Sequence, residues 1–219
     1  MRKVYYNCAR GAGIALLSFA ICDVPSLHAQ QAPLTAAALE SHEGLTISAL
    51  PWTDPAKYKE KFPKKSPYSA GVIAVQVAFR NDSDESMQVS LSKIRLTLHL
   101  DADNVQELQS LTPEELAEAV LKPAKDPTAK RSRVPLPVPV PSGNSSGKAS
   151  DLQKQAQAAA VPTSVIAPHS TVQGLLYFDL QNQFDLLETA HLYIPNIVMM
   201  RGNRALTFFD IDLGTRASP

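Results

Sequence analysis

The chain has 219 residues, 44% of them hydrophobic, and its 21 basic and 21 acidic side chains give a formal charge of zero. A near-neutral surface exerts no general pull on nucleic acid or anionic membranes. The length points to one domain, large enough to bury about 70% of the surface its unfolded chain exposes.

At the start, a basic stretch (Arg2, Lys3, Arg10), an apolar run from Gly11 to Cys22 and a small-residue exit at Leu27-His28-Ala29 form the three parts of a secretory signal, residues 1–29. Cleavage is expected after Ala29, which makes the protein exported, periplasmic or secreted. The apolar run holds about a dozen residues where a spanning helix needs roughly twenty, and no later stretch is long enough, so no membrane span is expected after cleavage. Acylation at Cys22 competes, but Ile21 stands where a small residue is required. Cleavage removes Cys8 and Cys22, leaving residues 30–219 without a thiol. Disulfides, cysteine nucleophiles and thiolate metal sites are excluded together. Removing Arg2, Lys3, Arg10 and Asp23 leaves 18 basic and 20 acidic residues.

Period-two alternation dominates the remainder. Leu45 to Leu50 reads as a strand, and Gly71 to Arg80 sets Ile73, Val75, Val77 and Phe79 on one face against Ala74, Gln76, Ala78 and Arg80. The turn residues Asn81 to Ser86 then suggest a hairpin into a strand from Met87 to Leu91. Lys93 to Leu100 alternates Ile94, Leu96, Leu98 and Leu100 with Arg95, Thr97 and His99.

Between Asp101 and Pro162 the alternation stops for about sixty residues, more than an ordinary connection needs. Thr112-Pro113-Glu114-Glu115 is a capping box with proline at the first helical position, and Leu111 and Leu116 are placed to staple it. A helix to Leu121 should follow, stopped by Pro123. Beyond Arg131 and Arg133, the alternating prolines from Val134 to Pro141 predict an extended polyproline segment, a spacer in preference to a ligand for a partner. Ser142 to Gly147 reads as linker, and Ser150 as the cap of a second helix, Asp151 to Ala160.

Alternation returns at Thr171 to Leu180, with Val172, Leu176, Phe178 and Leu180 on one face and Gly174 marking a bulge or a close backbone approach. His191 to Ile194 and Ala205 to Leu213 follow, the latter setting Phe209, Ile211 and Leu213 against Phe208, Asp210 and Asp212. About seven short strands predict a mainly β fold: an antiparallel, immunoglobulin-like β-sandwich with a long Pro-rich, partly helical insertion over 101–162.

The run Ala74 to Ser83, with aromatic-x-Asn-x-Ser at Phe79, Asn81 and Ser83, is followed by Ile94-Arg95-Leu96 and later by Ile166 to Asp179, a proline-led turn before a strand ending in Phe178-Asp179. These stretches resemble exported immunoglobulin-like, telokin-like bacterial domains of unknown function. The resemblance spans roughly 100 residues and implies an accessory or binding role outside the cytoplasm. It supplies no functional residues.

Chemistry-bearing residues are sparse. His42, His99, His169 and His191, with Met199 and Met200, invite a copper-site reading, but no two histidines fall at ligand spacing. Asp210 and Asp212 share a strand face about 6.8 Å apart, with Asp179 a third carboxylate; acidic side chains on an edge strand also serve simply to prevent aggregation. Asp82-x-Asp84 and Asp101-x-Asp103-Asn104 lack the glycine and glutamate of a calcium loop and read as turns. Neither a Gly-x-Ser-x-Gly motif nor a glycine-rich phosphate loop occurs. The best binding-surface candidate interleaves Lys57, Lys59, Lys61, Lys64 and Lys65 with Trp52, Tyr58, Phe62 and Tyr68, a pattern able to grip an anionic polymer; the opposing expectation is a loop whose rings turn inward. The expected function is a non-enzymatic extracytoplasmic module, without cofactor, that contacts a protein or cell-envelope component. A periplasmic metal-handling protein and a carbohydrate-directed enzyme or binder are the alternatives.

Overall fold

The computed structural model describes residues 37–101, 104–121 and 145–214. The expected signal segment with both cysteines, Pro123, and the stretch from Arg131 through the proline run lie outside them.

The described residues are mainly β. Twelve strands run β1 (Ala38–His42), β2 (Leu45–Pro51), β3 (Val72–Asn81), β4 (Met87–Val89), β5 (Arg95–Asp101), β6 (Asn104–Gln109), β7 (Val165–Ile166), β8 (Ser170–Asp179), β9 (Ala190–Ile194), β10 (Ile197–Met199), β11 (Arg204–Ala205) and β12 (Phe209–Asp212). Three helices join them: α1 (Pro55–Lys61), α2 (Pro113–Leu121) and α3 (Ser145–Ala159). The strands form three antiparallel sheets, ordered β1-β2-β3-β8, β11-β10-β4-β7 and β12-β9-β5-β6.

Alternation places the core as expected. Ile73, Val75, Val77 and Phe79 on β3 and Leu176 and Phe178 on β8 are buried in one cluster with Leu96, Leu98, Leu192, Ile194, Phe209 and Ile211 of the third sheet and Met87, Val89 and Ile197 of the second. Burying each such side chain stabilises the fold by roughly 1.5–3 kcal/mol before chain entropy is counted. The opposite face of β3 and β8 differs from a half-solvated strand. Val72, Ala74, Leu175 and Tyr177 are buried there beneath Tyr58 and Phe62 of the α1 segment, Leu116, Ala117 and Val120 of α2, and Leu152 and Ala156 of α3. The first sheet is therefore covered on both sides, and the described parts of 101–162 are integral to the fold: β6 pairs with β5, and α2 and α3 roof the first sheet.

Several expectations need correction. Asn81 to Ser86 does not close a hairpin; β3 belongs to the first sheet and β4 to the second, so this turn carries the chain from one sheet to another. Asn81 pins the crossing. Fully buried, its Nδ2 donates to the carbonyls of Glu85 (2.7 Å) and Ala167 (3.1 Å), and its Oδ1 accepts from the amide and hydroxyl of Ser83 (3.0 and 2.7 Å). The aromatic-x-Asn-x-Ser pattern thus has a structural account. Strand β4 stops at Val89, and Leu91–Lys93 is a 3₁₀ turn. Ala205 to Leu213 divides into β11 and β12, and the second expected helix begins at Ser145, inside the expected linker. Trp52 to Tyr68 is no open loop either, because Asp54 caps α1 by accepting the Ala56 amide at 2.8 Å, with Pro55 opening the helix.

The capping box of α2 forms as expected: the Thr112 amide donates to Glu115 Oε2 (2.8 Å) and the Glu115 amide to Thr112 Oγ1 (3.2 Å). Those two bonds hold the Glu115 carboxyl below its ordinary value. Gly174 marks a close backbone approach: Ala160 makes a parallel bridge to Leu175, and a Cβ on Gly174 would sit 2.6 Å from the Ala160 carbonyl carbon and clash with Val161 N.

Candidate functional site

The sequence-predicted surface divides in two. Its rings turn inward: Tyr58 is 0% and Trp52 8% exposed, and Tyr68 is half-buried, stacked on Phe184 at 4.2 Å. Trp52 Nε1 donates to Gln76 Oε1 (3.1 Å), and the Tyr58 hydroxyl accepts the Ala74 amide (2.8 Å), a donor left free where the chain departs from β3 after Pro51. Desolvation pushes the phenols of Tyr58 and Tyr177 well above the usual tyrosine range. Rings held this way cannot stack on a ligand. Lys57, Lys59, Lys61, Lys64 and Lys65 remain exposed. Lys64 pairs with Asp151 of α3 at 3.1 Å, and Lys64 and Lys65 border an open cleft of about 390 Å³ with Ser66, Ser69, Ala70 and Val120.

The third sheet brings together more of the chemistry, on the face turned away from the core. Register places Asp210, Tyr193, Arg95 and Gln109 in one row across β12, β9, β5 and β6, and Asp212, His191, Thr97 and Glu107 in the next, with His99 beside Val105 beyond. Phe208, 52% exposed, stands against Tyr193 with ring centroids 5.4 Å apart. Arg95 donates to Glu107 at 2.6 Å. His99 and His191, 92 positions apart in sequence, meet edge to face at 5.0 Å, a pairing their spacing concealed. His191 Nδ1 is buried and makes no hydrogen bond, with Asp210 Oδ1 3.4 Å away. Two imidazoles are fewer than the three or four ligands of a zinc site. Among the described residues no group of three or more His, Cys, Asp or Glu side chains is placed to hold a metal ion.

The remaining candidates occupy structural positions. Asp212 accepts the Gly214 amide at 2.8 Å, and Asp179, in the first sheet, accepts the Gln181 amide at 2.9 Å. His169, in a turn with positive φ, contacts Asp84 at 2.8 Å, while Asp82 pairs with Arg80 at 3.0 Å. His42 stacks on Phe209 at 3.7 Å. Met199 is buried at the end of β10, and Met200 is exposed.

The edges of the sheets are treated unequally. On β12 the outward amide of Asp210 donates to Glu40 of β1 (2.7 Å), and just before the strand the Thr207 amide and hydroxyl donate to Glu43 (3.1 and 3.0 Å), which also accepts from Arg204 (2.8 Å). The Thr207 amide, then its hydroxyl and Arg204, lower the Glu43 carboxyl below its usual value. On β8 the Leu111 amide donates to the Tyr177 carbonyl (2.8 Å), and Ala160 bridges Leu175. Strand β6 has only β5 as a partner among the described residues.

No helix among the described residues is long and apolar enough to cross a membrane. No family model matches the chain, and no curated protein matches it. Among solved structures, a functionally unknown protein from Listeria monocytogenes EGD-e is similar over 74% of this chain and 71% of that one, at 13% identity and a TM-score of 0.35; a likeness this slight carries no argument.

Proposed function

We propose that the chain is a non-enzymatic, extracytoplasmic binding module built on an immunoglobulin-like β-sandwich, which contacts a protein or cell-envelope component through the β12-β9-β5-β6 sheet. One observation carries this reading: the outer side of the first sheet lies under three helices, whereas the outer side of the third sheet displays Phe208, Tyr193, His191 and His99 among Arg95, Asp210 and Glu107. Exposed aromatic side chains interspersed with charged and hydrogen-bonding groups have the composition of recognition surfaces. Of the carboxylates of this face, Asp212 accepts a turn amide, Glu107 accepts from Arg95 and Asp210 stands 3.4 Å from His191, and the side chains of Asp210 and Glu107 are 47% and 52% exposed.

The test compares retention of envelope components on immobilised residues 30–219 and on the same chain carrying Phe208→Ser and His99→Ala, two exposed positions. Loss of retention with an unchanged melting temperature supports the proposal. Equal retention by both refutes the choice of surface, as does loss produced instead by reversing the charges of Lys57, Lys59 and Lys61.

A further inference from the structure

The hydrogen-bond phase across the third sheet fixes which backbone groups of β6 face outward. In an antiparallel pair, directly opposed residues alternate between exchanging both backbone bonds and exchanging none. The Leu213 amide donates to the Ala190 carbonyl at 2.8 Å, so Ala190, Leu192 and Ile194 turn toward β12, while His191 and Tyr193 turn toward β5. Their partners Thr97 and Arg95 are thereby committed to β9, which leaves Leu96 and Leu98 to bond Leu108 and Gln106 of β6. The amides and carbonyls of Val105, Glu107 and Gln109 then point away from the sheet, and none has a backbone partner among the described residues. The outward amide of Asp210, met by Glu40, independently agrees with this phase.

An open edge of this kind is a template for another strand, and proteins ordinarily blunt it with lysine, proline, very short strands or a covering segment. Among the described residues the other edges are managed: β1 and β12 meet through Glu40 on the Asp210 amide and His42 stacked on Phe209, residues 111 and 160 seal β8, and β7 and β11 are two residues long. Strand β6 is six residues long, contains neither proline nor lysine, and exposes Val105 at 47%.

We infer that β6 is a docking edge that accepts an extended peptide strand of a partner protein, one that sets a basic side chain opposite Glu107 and an apolar one opposite Val105. This rests on the binding-module reading and names the class of partner for the same sheet. Backbone bonds to Val105, Glu107 and Gln109 supply affinity, and alternate side chains, lying on the outer face, supply selection. Charge decides the occupant. The twofold antiparallel register that uses all three outward residues sets Glu107 directly against its own equivalent in a second copy, and like charges in that position are destabilising. A lysine or arginine there meets a carboxylate that already accepts from Arg95 through Oε2 at 2.6 Å but whose side chain stays 52% exposed, open to a second cation.

The experiment measures fluorescence anisotropy of a labelled Val/Lys-alternating peptide, with a Val/Glu peptide and a Val/Lys peptide N-methylated at every second residue as controls. Expected are saturable binding of the Val/Lys peptide, binding about tenfold weaker or worse for each control, reversed charge preference in Glu107→Lys, and slower amide exchange at Val105 and Glu107 in the complex. Glu107→Pro removes an outward amide without touching a bond to β5 and should abolish binding; N-methylation asks the same question of the peptide should that variant fail to fold. Binding indifferent to N-methylation, no saturable binding, or a sedimenting dimer that Glu107→Pro dissociates would overturn the inference. Envelope components retained equally by the native chain and Glu107→Pro would remove the edge while sparing the module, and retention by neither would remove both.

Discussion

Two buried phenols make unequal bonds, and the inequality predicts unequal costs when each hydroxyl is deleted. Tyr58→Phe leaves the Ala74 amide without its acceptor in a site with no solvent exposure, since the 2.8 Å bond to the Tyr58 oxygen replaces the strand neighbour that β3 lacks there. An orphaned buried donor costs about 1–3 kcal/mol. Tyr177→Phe removes a bond to the Ala156 carbonyl at 3.1 Å, but that carbonyl keeps the Ala160 amide at 2.9 Å, so only the net value of one hydrogen bond is lost, about 0.5–1.5 kcal/mol. Phenylalanine fills nearly the same volume in both cases, which leaves little cavity contribution. Urea unfolding of residues 30–219, compared at equal slope, should therefore place Tyr58→Phe below Tyr177→Phe by about 1 kcal/mol. Equal midpoints, or a larger loss for Tyr177→Phe, would refute the account of how Ala74 is satisfied.

Asn81→Asp should cost about 3 kcal/mol or more at neutral pH, because a carboxylate would replace the donor facing the Glu85 and Ala167 carbonyls in a fully buried site; thermal melts should show part of the loss recovered in acid, where the group protonates. Gly174→Ala should cost about 2 kcal/mol, read by urea unfolding, as the added methyl drives Ala160 and Val161 from the β8 edge. Glu43 has a folded carboxyl value depressed below its reference value of 4.5, so its contribution is present above pH 4.5 and is lost as the pH falls through the lower folded value. Acid titration followed by circular dichroism should show that decline in the native chain and a flatter profile in Glu43→Gln.

The strands that could be read from the amino-acid order are those that set alternate side chains into the main core: β2, β3, β4, β5, β8, β9 and the Phe209–Asp212 part of the last. Period-two burial leaves its mark locally, as the capping box does for α2. Strand β6 left none, because in Asn104 to Gln109 only Leu108 packs against the core. Helix α1 did leave a signal. Asp54, Pro55 and the four-residue spacing of Tyr58 and Phe62 are a helix start and an apolar stripe, but the surrounding prolines and lysines resembled a loop. The crossing at Asn81 to Ser86 was unreadable for a different reason: turn chemistry reports that the chain reverses, not which sheet receives it. Likewise the outer face of the third sheet joins residues from Arg95 to Asp212, and no local pattern announces that assembly.

The clasp between Glu43 and its partners Arg204 and Thr207 joins positions 161 and 164 residues apart, and Glu40 meets Asp210 across 170. Closing so large a loop is entropically costly, and topologies dominated by distant contacts fold slowly. A chain emerging from its N-terminus can assemble β1 and β2 early, yet Glu40 on β1 and Glu43 in the turn between them wait for the last strand to be made. Completion of the fold is thus tied to completion of the polypeptide: a product truncated before Arg204 would leave Glu40 and Glu43 unmatched and β9 without its outer neighbour.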